Sequence, residues 1–190
     1  MDEKRIREIF LESSEIKRKF AEEFAGMILE VARRIVEKVK SGGKVILMGN
    51  GGSACDAQHI ALELVGKFYK VRNPIPAICL NANGALLTEI GNDFGFENTF
   101  VRQIEAFATE KDVVVGISTS GKSQNVIRAL ERAKEIGALT IGFTGEIGKS
   151  MKKYCDYLFV VPSSDTPRIQ ETHITLGHVL AQIVEELMGG

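Results

Sequence analysis

Several features that mark large classes of protein are scarce in this sequence. Its 190 residues contain no tryptophan, four prolines and three cysteines, and the net charge is only −1. Three widely separated cysteines, with no C-x-x-C pair, favour reduced thiols in a cytoplasm over a disulfide framework or a zinc knuckle. We expect Cys55, Cys79 and Cys155 to be small buried residues. The near-zero charge gives no electrostatic reason to expect nucleic acid or an anionic membrane as a partner.

Long hydrophobic runs are also missing. No apolar run approaches the roughly 18 residues of a membrane span, and the charged opening MDEKRIREIF lacks the apolar core of a signal peptide. We therefore expect a cytoplasmic protein. With 44% hydrophobic and 26% charged residues the chain has an ordinary globular composition, and its length fits a single domain over 1–190.

The first forty residues are predicted to be helical. Apolar residues recur there at steps of three and four with charged residues between them, and Gly26 is a possible break. The stripe consists of Ile6, Ile9, Phe10, Ile16, Phe20, Phe24, Met27, Ile28, Val31, Ile35 and Val39. A long apolar stripe ahead of the first strand needs a cover, either the chain's own sheet or another subunit. This feature favours a dimer or a larger assembly.

After residue 40 the sequence alternates between strand-like and helix-like segments. The predicted strands are KVILMGN, PAICL, DVVVGIS, LTIGFT and YLFVV. A last helix is predicted from about Pro167 to Met188, with Thr166 as its N-cap. Continuous apolar strands separated by helices indicate an α/β fold with a parallel sheet covered on both faces. Ligands of such sheets bind beyond the carboxyl ends of the strands, where the loops GNGGS and STSGKS are predicted to lie.

The loop GNGGSA, residues 49–54, resembles a dinucleotide-binding fingerprint. That fingerprint also expects an acidic residue after the second strand to bind a ribose, and Asn81 and Asn83 stand there instead. A dinucleotide site is therefore not predicted. The alternative is a tight strand-to-helix turn in which Ser53 is the N-cap and Asp56 completes a capping box.

The stretch GISTSGKS, residues 116–123, matches the P-loop pattern of nucleotide-binding proteins at every fixed position. A P-loop enzyme also needs a strand that ends in a magnesium-linked Asp, and neither LTIGFT nor YLFVVPSSD provides one in the right place. Four hydroxyls around the start of the next helix can hold a phosphate without that apparatus: Ser118, Thr119, Ser120 and Ser123. We predict phosphate binding without nucleotide hydrolysis.

Two predicted helices carry side chains typical of metal ligands. His59 and Glu63 are four residues apart and so lie on one helix face. In the last helix Gln170 and His178 are about 80° apart around the axis, whereas His173 points elsewhere and is predicted to be structural. If the helices lie side by side, the first four side chains suit a zinc-class ion. The alternatives are a surface contact between His59 and Glu63 and a core position for His178.

Four motifs taken together resemble one family. GNGGSACDAQHIALEL, GNDFGFENTF, GISTSGKSQNVI and RIQETHITLGHVL are similar, in the same order and nearly end to end, to the phosphoheptose isomerases, which are sugar-isomerase (SIS) domain proteins. The resemblance implies a flavodoxin- or Rossmann-like three-layer sandwich with a five-stranded parallel sheet and an N-terminal helical region over 1–40. It also implies a cytoplasmic homotetramer with zinc in the active site.

The resemblance further implies the reaction, in which sedoheptulose 7-phosphate becomes D-glycero-D-manno-heptose 7-phosphate, the entry to bacterial heptose supply for lipopolysaccharide. Glu63 and His178 would be the acid/base pair, and His59, Glu63, Gln170 and His178 the zinc ligands. The substrate-binding residues would be Asn50, Gly51, Gly52, Ser53, Glu63, Asn92, Asp93, Ser118, Thr119, Ser120, Ser123 and Gln170. Lys122 departs from the family's usual pattern, in which a residue such as Asn is common, so the P-loop match is interpreted as incidental.

The chemistry suggests a division of roles. Aldose–ketose isomerisation moves a proton between adjacent carbons through an enediol. We expect Glu63 to transfer the carbon-bound proton and His178 to exchange protons with the substrate oxygens. One carboxylate cannot bind a metal ion tightly and also remain a strong base. Therefore either Glu63 leaves the ion during turnover or the metal is mainly structural.

Two other functions occur among SIS-type proteins. One is a non-catalytic protein that binds the replication initiator protein, and the other is a regulatory module that binds a sugar phosphate. The presence of both Glu63 and His178 favours the enzyme over these alternatives.

Overall fold

The computed structural model describes residues 2–189, and its centre is a five-stranded parallel sheet. The strands are β1 (Val45–Gly49), β2 (Ala77–Cys79), β3 (Val113–Ile117), β4 (Leu139–Gly145) and β5 (Tyr157–Val161). Their order in the sheet is β2-β1-β3-β4-β5, so the order reverses between β1 and β3. This is the flavodoxin-like order, which belongs to one of the two fold types that the resemblance implied, and the reversal opens a crevice at the carboxyl ends of β1 and β3.

Helices cover both faces of the sheet. They are α1 (Glu3–Lys40), α2 (Gly52–Val65), α3 (Gly84–Phe94), α4 (Val101–Phe107), α5 (Gln124–Ile136) and α6 (Thr166–Leu187). Alternate residues of β1 enter two separate cores: Val45 and Leu47 pack with α1, α2 and α6, whereas Ile46 and Met48 pack with α4 and α5. The predicted three-layer sandwich is therefore confirmed. Among the helices described, none combines the length and hydrophobicity that crossing a membrane requires.

The helix α1 is continuous, and it passes through Gly26 without the break that the sequence allowed. Its buried residues begin at Phe20 and continue to Val39, where the helix packs against α6 and β5. The earlier part of the apolar stripe is different, because Phe10 is strongly exposed. The chain's own sheet and last helix thus cover only the second half of the stripe. A subunit interface over the first half stays a prediction.

Three local predictions are corrected. Ser53 is not the N-cap of α2, because Gly51 adopts a φ of 57° and lets the helix begin at Gly52, which places Ser53 inside the first turn. Thr166 lies inside α6, whose N-cap is Asp165. Of the three free cysteines Cys155 is buried and Cys79 is half-buried, but Cys55 is exposed on α2. The segment Glu146–Tyr154, for which no element was predicted, is a 3-10 helix.

Candidate active site between α2 and α6

The helices α2 and α6 lie side by side and run in the same direction. Three contacts fix their register: Gly52 meets Gln170, Ile60 meets Gly177, and His59 meets His178. A Cβ atom on Gly177 would lie 2.4 Å from Ile60 Cγ1, so this position requires glycine for the helices to come as close as they do. The close approach lies directly beside His178.

Three predicted site residues converge at this point. His59 Nε2 lies 3.1 Å from Glu63 Oε1 and 3.2 Å from His178 Nε2, and the two imidazole rings meet edge to face. One ligand atom from each residue lies within 4.8 Å of the other two. All three residues are half-buried, so the cluster is reachable from solvent but not fully hydrated. The condition for this convergence, that the two helices lie side by side, is therefore met.

The donor set fits a zinc-class ion. His59 Nε2 carries either a proton or a lone pair, so it cannot donate to Glu63 and accept from His178 at the same time. A cation between the three atoms would satisfy all of them. A tetrahedral zinc ion with bonds of about 2.0–2.1 Å keeps its ligand atoms about 3.3–3.4 Å apart, which is close to the two distances found here. Two imidazoles and a carboxylate leave one position of a four-coordinate ion for a further ligand.

Gln170 lies elsewhere along the same seam. Its side chain packs against Gly52, where a Cβ atom would come within 2.4 Å of Gln170 Nε2. Along α6 Gln170 precedes His178 by eight residues, or about 12 Å of helix rise. Gln170 therefore lies at the mouth of the seam, beside the loop after β1, and its role as the fourth ligand stays a prediction.

His173 is turned away from this cluster, as predicted. It is fully buried, its ring packs on Phe143, and its Nε2 atom lies 3.3 Å from the Thr144 carbonyl oxygen. Burial lowers the pKa of His173 to about 4, and the hydrogen bond to the carbonyl only partly opposes that effect. A neutral imidazole in this position suits a structural role.

Asp56 belongs to the face of α2 that carries His59 and Glu63. Its Oδ2 atom is buried without a hydrogen-bond partner, and burial raises the pKa of the carboxyl to about 6 although the nearby His59 lowers it. The predicted capping box does not form, because Ser53 is already helical. The carboxyl group is left facing the seam.

The serine-rich loop follows β3 and leads into α5. Ser118 is buried, and its Oγ donates to Ser123 Oγ at 2.9 Å, while Ser120 Oγ accepts from the Lys122 backbone N–H at 3.3 Å. Gly121 has a φ of 65° and packs against Gly148, which holds the turn tight. The hydroxyls are thus gathered at the N-terminus of α5, where the helix dipole favours an anion.

A pair of amides, of which Asn125 is buried and Asn50 is half-buried, joins the two loops. Asn50, in the loop after β1, and Asn125, in the first turn of α5, exchange hydrogen bonds of 2.8 and 3.0 Å, and Asn125 also donates to Thr99. An open cleft beside them is lined by Asn50, Ser123 and Arg128. Sequence reasoning missed Asn125. Asn125 could have been found because it lies four positions before Ala129, and a polar residue on the buried face of α5 indicates a specific hydrogen-bond partner.

Asn92 and Asp93 stand apart from this arrangement. Both are exposed near the end of α3, and Asn92 donates to the Asp93 carboxylate at 2.7 Å. Within residues 2–189 neither makes a hydrogen bond to the loops after β1 and β3. Phe96 and Glu97, which follow the end of α3 after Gly95, line the cleft, so α3 ends beside it. The substrate-binding role of Asn92 and Asp93 stays a prediction.

Comparison with known proteins identifies the family. A family model described as SIS domain matches residues 10–145. The phosphoheptose isomerase of Aquifex aeolicus is 53% identical over 97% of this chain and 96% of its own length. The chain belongs to the phosphoheptose isomerases. The enzyme of the same name from Thermodesulfovibrio yellowstonii is 48% identical over 98% of this chain and 92% of its own.

Solved structures of phosphoheptose isomerases share the fold. The structure from Neisseria gonorrhoeae has a TM-score of 0.90 at 36% identity and covers 96% of this chain and 98% of its own. The structure from Francisella tularensis has a TM-score of 0.92 at 33% identity, over 96% and 97%. The predicted family, fold and isomerase class are confirmed. These relatives give the non-catalytic alternative no support.

Proposed function

We propose that this protein interconverts sedoheptulose 7-phosphate and D-glycero-D-manno-heptose 7-phosphate through an enediol, the first step towards the heptose of lipopolysaccharide. The observation that carries the proposal is the convergence of Glu63 and His178 across the α2–α6 seam, with His59 between them. The names of the closely similar relatives support a phosphorylated heptose as the substrate.

The reaction needs a group that moves a carbon-bound proton and another that serves the oxygens. Glu63 has one carboxylate oxygen towards His59 and is itself half-buried, which suits a base that works on carbon in a partly dehydrated site. His178 Nε2 lies 3.2 Å from His59 Nε2, and we assign to His178 the exchange of a proton with a substrate oxygen. Glu63 and His178 are therefore the proposed acid/base pair.

We also propose a zinc ion, held by His59, Glu63 and His178, with Gln170 as the fourth protein ligand. When bound, the ion would supply Lewis-acid polarisation of the substrate carbonyl. With the ion bound, Nε2 of His59 and Nε2 of His178 would each give a lone pair to the ion and carry no proton. His178 would therefore exchange protons only after leaving the ion, whereas the task of His59 is to hold Glu63 and His178 around one centre. The two short distances from His59 Nε2, to Glu63 Oε1 and to His178 Nε2, support this assignment.

The phosphate end of the substrate is assigned to the serine-rich loop. Ser118, Ser120 and Ser123 surround the N-terminus of α5, and Thr119 is tied to β4 through its carbonyl oxygen, which accepts from Gly145 N–H at 3.0 Å. The remaining contacts are assigned to the loop after β1 and the end of α3: Asn50, Gly51, Gly52, Ser53, Asn92 and Asp93. Remote contacts of this kind orient the reacting carbons at the seam.

The proposed setting is a cytoplasmic homotetramer. The exposed apolar residues in the first half of α1, including Ile6, Phe10 and Leu11, support an assembly larger than one chain. The odd number of free cysteines supports a reducing compartment.

Incubation of the purified protein with sedoheptulose 7-phosphate, followed by NMR, tests the function directly. We expect the aldose signals to appear at a rate that falls after treatment with a chelator and returns with Zn²⁺. Turnover that is indifferent to chelation would remove zinc from the proposal and leave the isomerase. No conversion with or without Zn²⁺ would refute the isomerase itself.

A further inference from the structure

A buried ion pair lies at the end of the α2–α6 seam that is remote from the two loops. Arg72, in the connection between α2 and β2, donates from Nε to Glu185 Oε1 at 3.0 Å. The two side chains are only 6% and 2% exposed. A buried pair of this kind is weak evidence for stabilisation, because desolvation of the two charges offsets their attraction. Its neighbours indicate another role.

The side chain of Arg72 caps the C-terminus of α2, in the turn that contains the proposed base, Glu63. Its Nη2 atom donates to the Glu63 carbonyl oxygen at 3.0 Å, and its Nη1 atom donates to the Leu64 carbonyl oxygen at 2.9 Å. The last carbonyls of a helix have no partner within the helix, and α2 has no basic residue of its own in its last turn. The planar guanidinium therefore holds the backbone of Glu63 in a fixed position.

Glu185 makes the corresponding contacts from α6. It lies seven residues, or about two turns, after His178. Its Oε2 atom accepts from the backbone N–H groups of Tyr69 and Lys70 at 3.0 and 3.2 Å. These bonds fix the segment that follows α2, and the ring of Phe68 in that segment lies 5.8 Å from the ring of His178. One buried carboxylate thus ties α6 to the chain that leaves α2.

We infer that Arg72 and Glu185 are positioning residues, which fix the backbone of Glu63 against the helix of His178 and so set the spacing of the metal-binding side chains. The inference rests on the proposed metal centre. Both residues act through the backbone and through packing. Groups that hydrogen-bond the ligating side chains of a metal site change its affinity by about 10–100-fold when they are removed, and we expect an effect of similar size from groups that hold the backbone of a ligand.

The test uses a variant that removes both charges, Arg72→Met/Glu185→Leu. Either single substitution would leave an uncompensated buried charge and could unfold the protein for that reason alone. We expect the double variant to remain folded by circular dichroism. Its dissociation constant for Zn²⁺, measured by competition with a chromophoric chelator, should rise at least tenfold over the parent's. We also expect kcat to fall with little change in KM, because the phosphate loop is untouched.

A second ion pair provides the matched control. Lys44 Nζ lies 2.9 Å from Asp112 Oδ2, and the Asp112 side chain is as buried as that of Glu185. The pair lies just before β1 and β3, at the amino ends of these strands, and the hydrogen bonds given for it join Lys44 and Thr109 to Asp112. Burial alone would raise the pKa of Asp112, but hydrogen bonds from Lys44 and Thr109 outweigh it and lower that pKa. The variant Lys44→Met/Asp112→Asn should lose stability and keep the parent's Zn²⁺ affinity within about threefold.

Arg72→Lys separates charge from geometry. Lysine can still face Glu185, but it lacks the fork that reaches the carbonyl oxygens of Glu63 and Leu64. We expect it to fold and to lose Zn²⁺ affinity, and this variant decides the matter if the double variant unfolds. A folded variant with the parent's Zn²⁺ affinity would overturn the inference, as would an equal loss in the Lys44 control. A parent that binds no Zn²⁺ but converts substrate would overturn the metal centre and this inference, and would leave the isomerase standing.

Discussion

The loops after β1 and β3 occupy equivalent places in the fold, but they are built differently. The loop after β1 makes space: Gly51 takes a φ of 57°, and Gly52 leaves room for the side chain of Gln170. The loop after β3 offers donors and acceptors instead, because Ser118, Ser120 and Ser123 bring hydroxyls to the start of α5. The first loop accommodates a neighbouring helix, and the second presents the hydroxyls that we propose bind the phosphate.

This difference separates two tasks of the enzyme. The loop after β1 continues into α2, so any change in it is transmitted to the seam where His59, Glu63 and His178 meet. The loop after β3 continues into α5 on the other face of the sheet, which carries none of these three residues. We therefore expect changes at the first loop to affect chemistry and changes at the second to affect substrate binding.

The largest expected effect belongs to the seam. Glu63→Gln keeps the size of the side chain but removes the base, and general acid–base groups contribute about 10²–10⁴-fold to rate. We expect isomerisation, followed by NMR, to fall about 10³-fold, while calorimetry still detects binding of the sugar phosphate. Near-normal turnover would refute the assignment of Glu63 as the base.

Gly52→Ala tests whether the first loop is coupled to the seam. The added Cβ would lie 2.4 Å from Gln170 Nε2 and would displace that side-chain end. We expect a loss of activity of about tenfold or more, as for groups that support a metal site, with little change in melting temperature. Gly26→Ala is the control, because a Cβ there meets nothing within 4 Å and should stabilise α1 by about 0.5–1 kcal/mol. Full activity in Gly52→Ala would show that the position of Gln170 is unimportant.

Ser120→Ala addresses the second loop. Loss of one hydroxyl from a phosphate site removes a hydrogen bond to a charged group, worth about 1.5–3 kcal/mol. We expect KM to rise at least about tenfold with a smaller change in kcat, since the phosphate supplies remote binding energy. Steady-state kinetics measure both, and Lys122→Asn is the control at the neighbouring exposed position, where KM should stay within about twofold. A KM unchanged by Ser120→Ala would contradict the phosphate assignment.

The smallest effect on activity is expected from substitution of His173, behind the second loop. We expect this substitution to change the free energy of unfolding and its dependence on pH. Its pKa is lowered to about 4 in the folded protein, so the folded state disfavours the proton that the unfolded chain binds below pH 6.5. The contribution of His173 to the free energy of unfolding, about 3 kcal/mol, is fully present above pH 6.5. It is lost as the pH falls towards 4.

Urea unfolding of the parent and of His173→Gln at several pH values measures this slope. Asp56 contributes with the opposite sign, because its raised pKa favours the folded state as the pH falls below about 6. Asp56 is present in both proteins, so its contribution cancels in the difference between their free energies of unfolding. If this difference did not change with pH, His173 would not be the source of the loss of stability in acid.

The sheet and its helices could be predicted because their signals are local. Continuous apolar runs such as DVVVG predict buried parallel strands, and the spacing of His59 and Glu63 places both on one face of α2. The predictions that were wrong depend on the conformation of the backbone. Ser53 and Asp56 have the spacing of a capping box, but the positive φ of Gly51 starts the helix earlier, and nothing in a capping pattern reports on it.

The sequence suggests that the two helices meet, but it does not determine how they pack. The register depends on Gly177, which lets Ile60 approach, and a glycine inside a helical pattern gives no sign of its partner. Arg72 and Glu185 lie 113 residues apart and carry no local signal of pairing. Asn125 looks like an ordinary polar residue until Asn50 is seen beside it. Contacts of this kind depend on tertiary packing.

The distance along the chain between His59 and His178 has a thermodynamic consequence. The two residues are separated by 119 positions and lie 3.2 Å apart through their Nε2 atoms. An ion held by both would act as a cross-link that closes well over half of the chain into a loop, as a disulfide would, and would restrict the unfolded chain in the same way. Unlike a disulfide, this cross-link needs no oxidant, and a chelator or mild acid would open it.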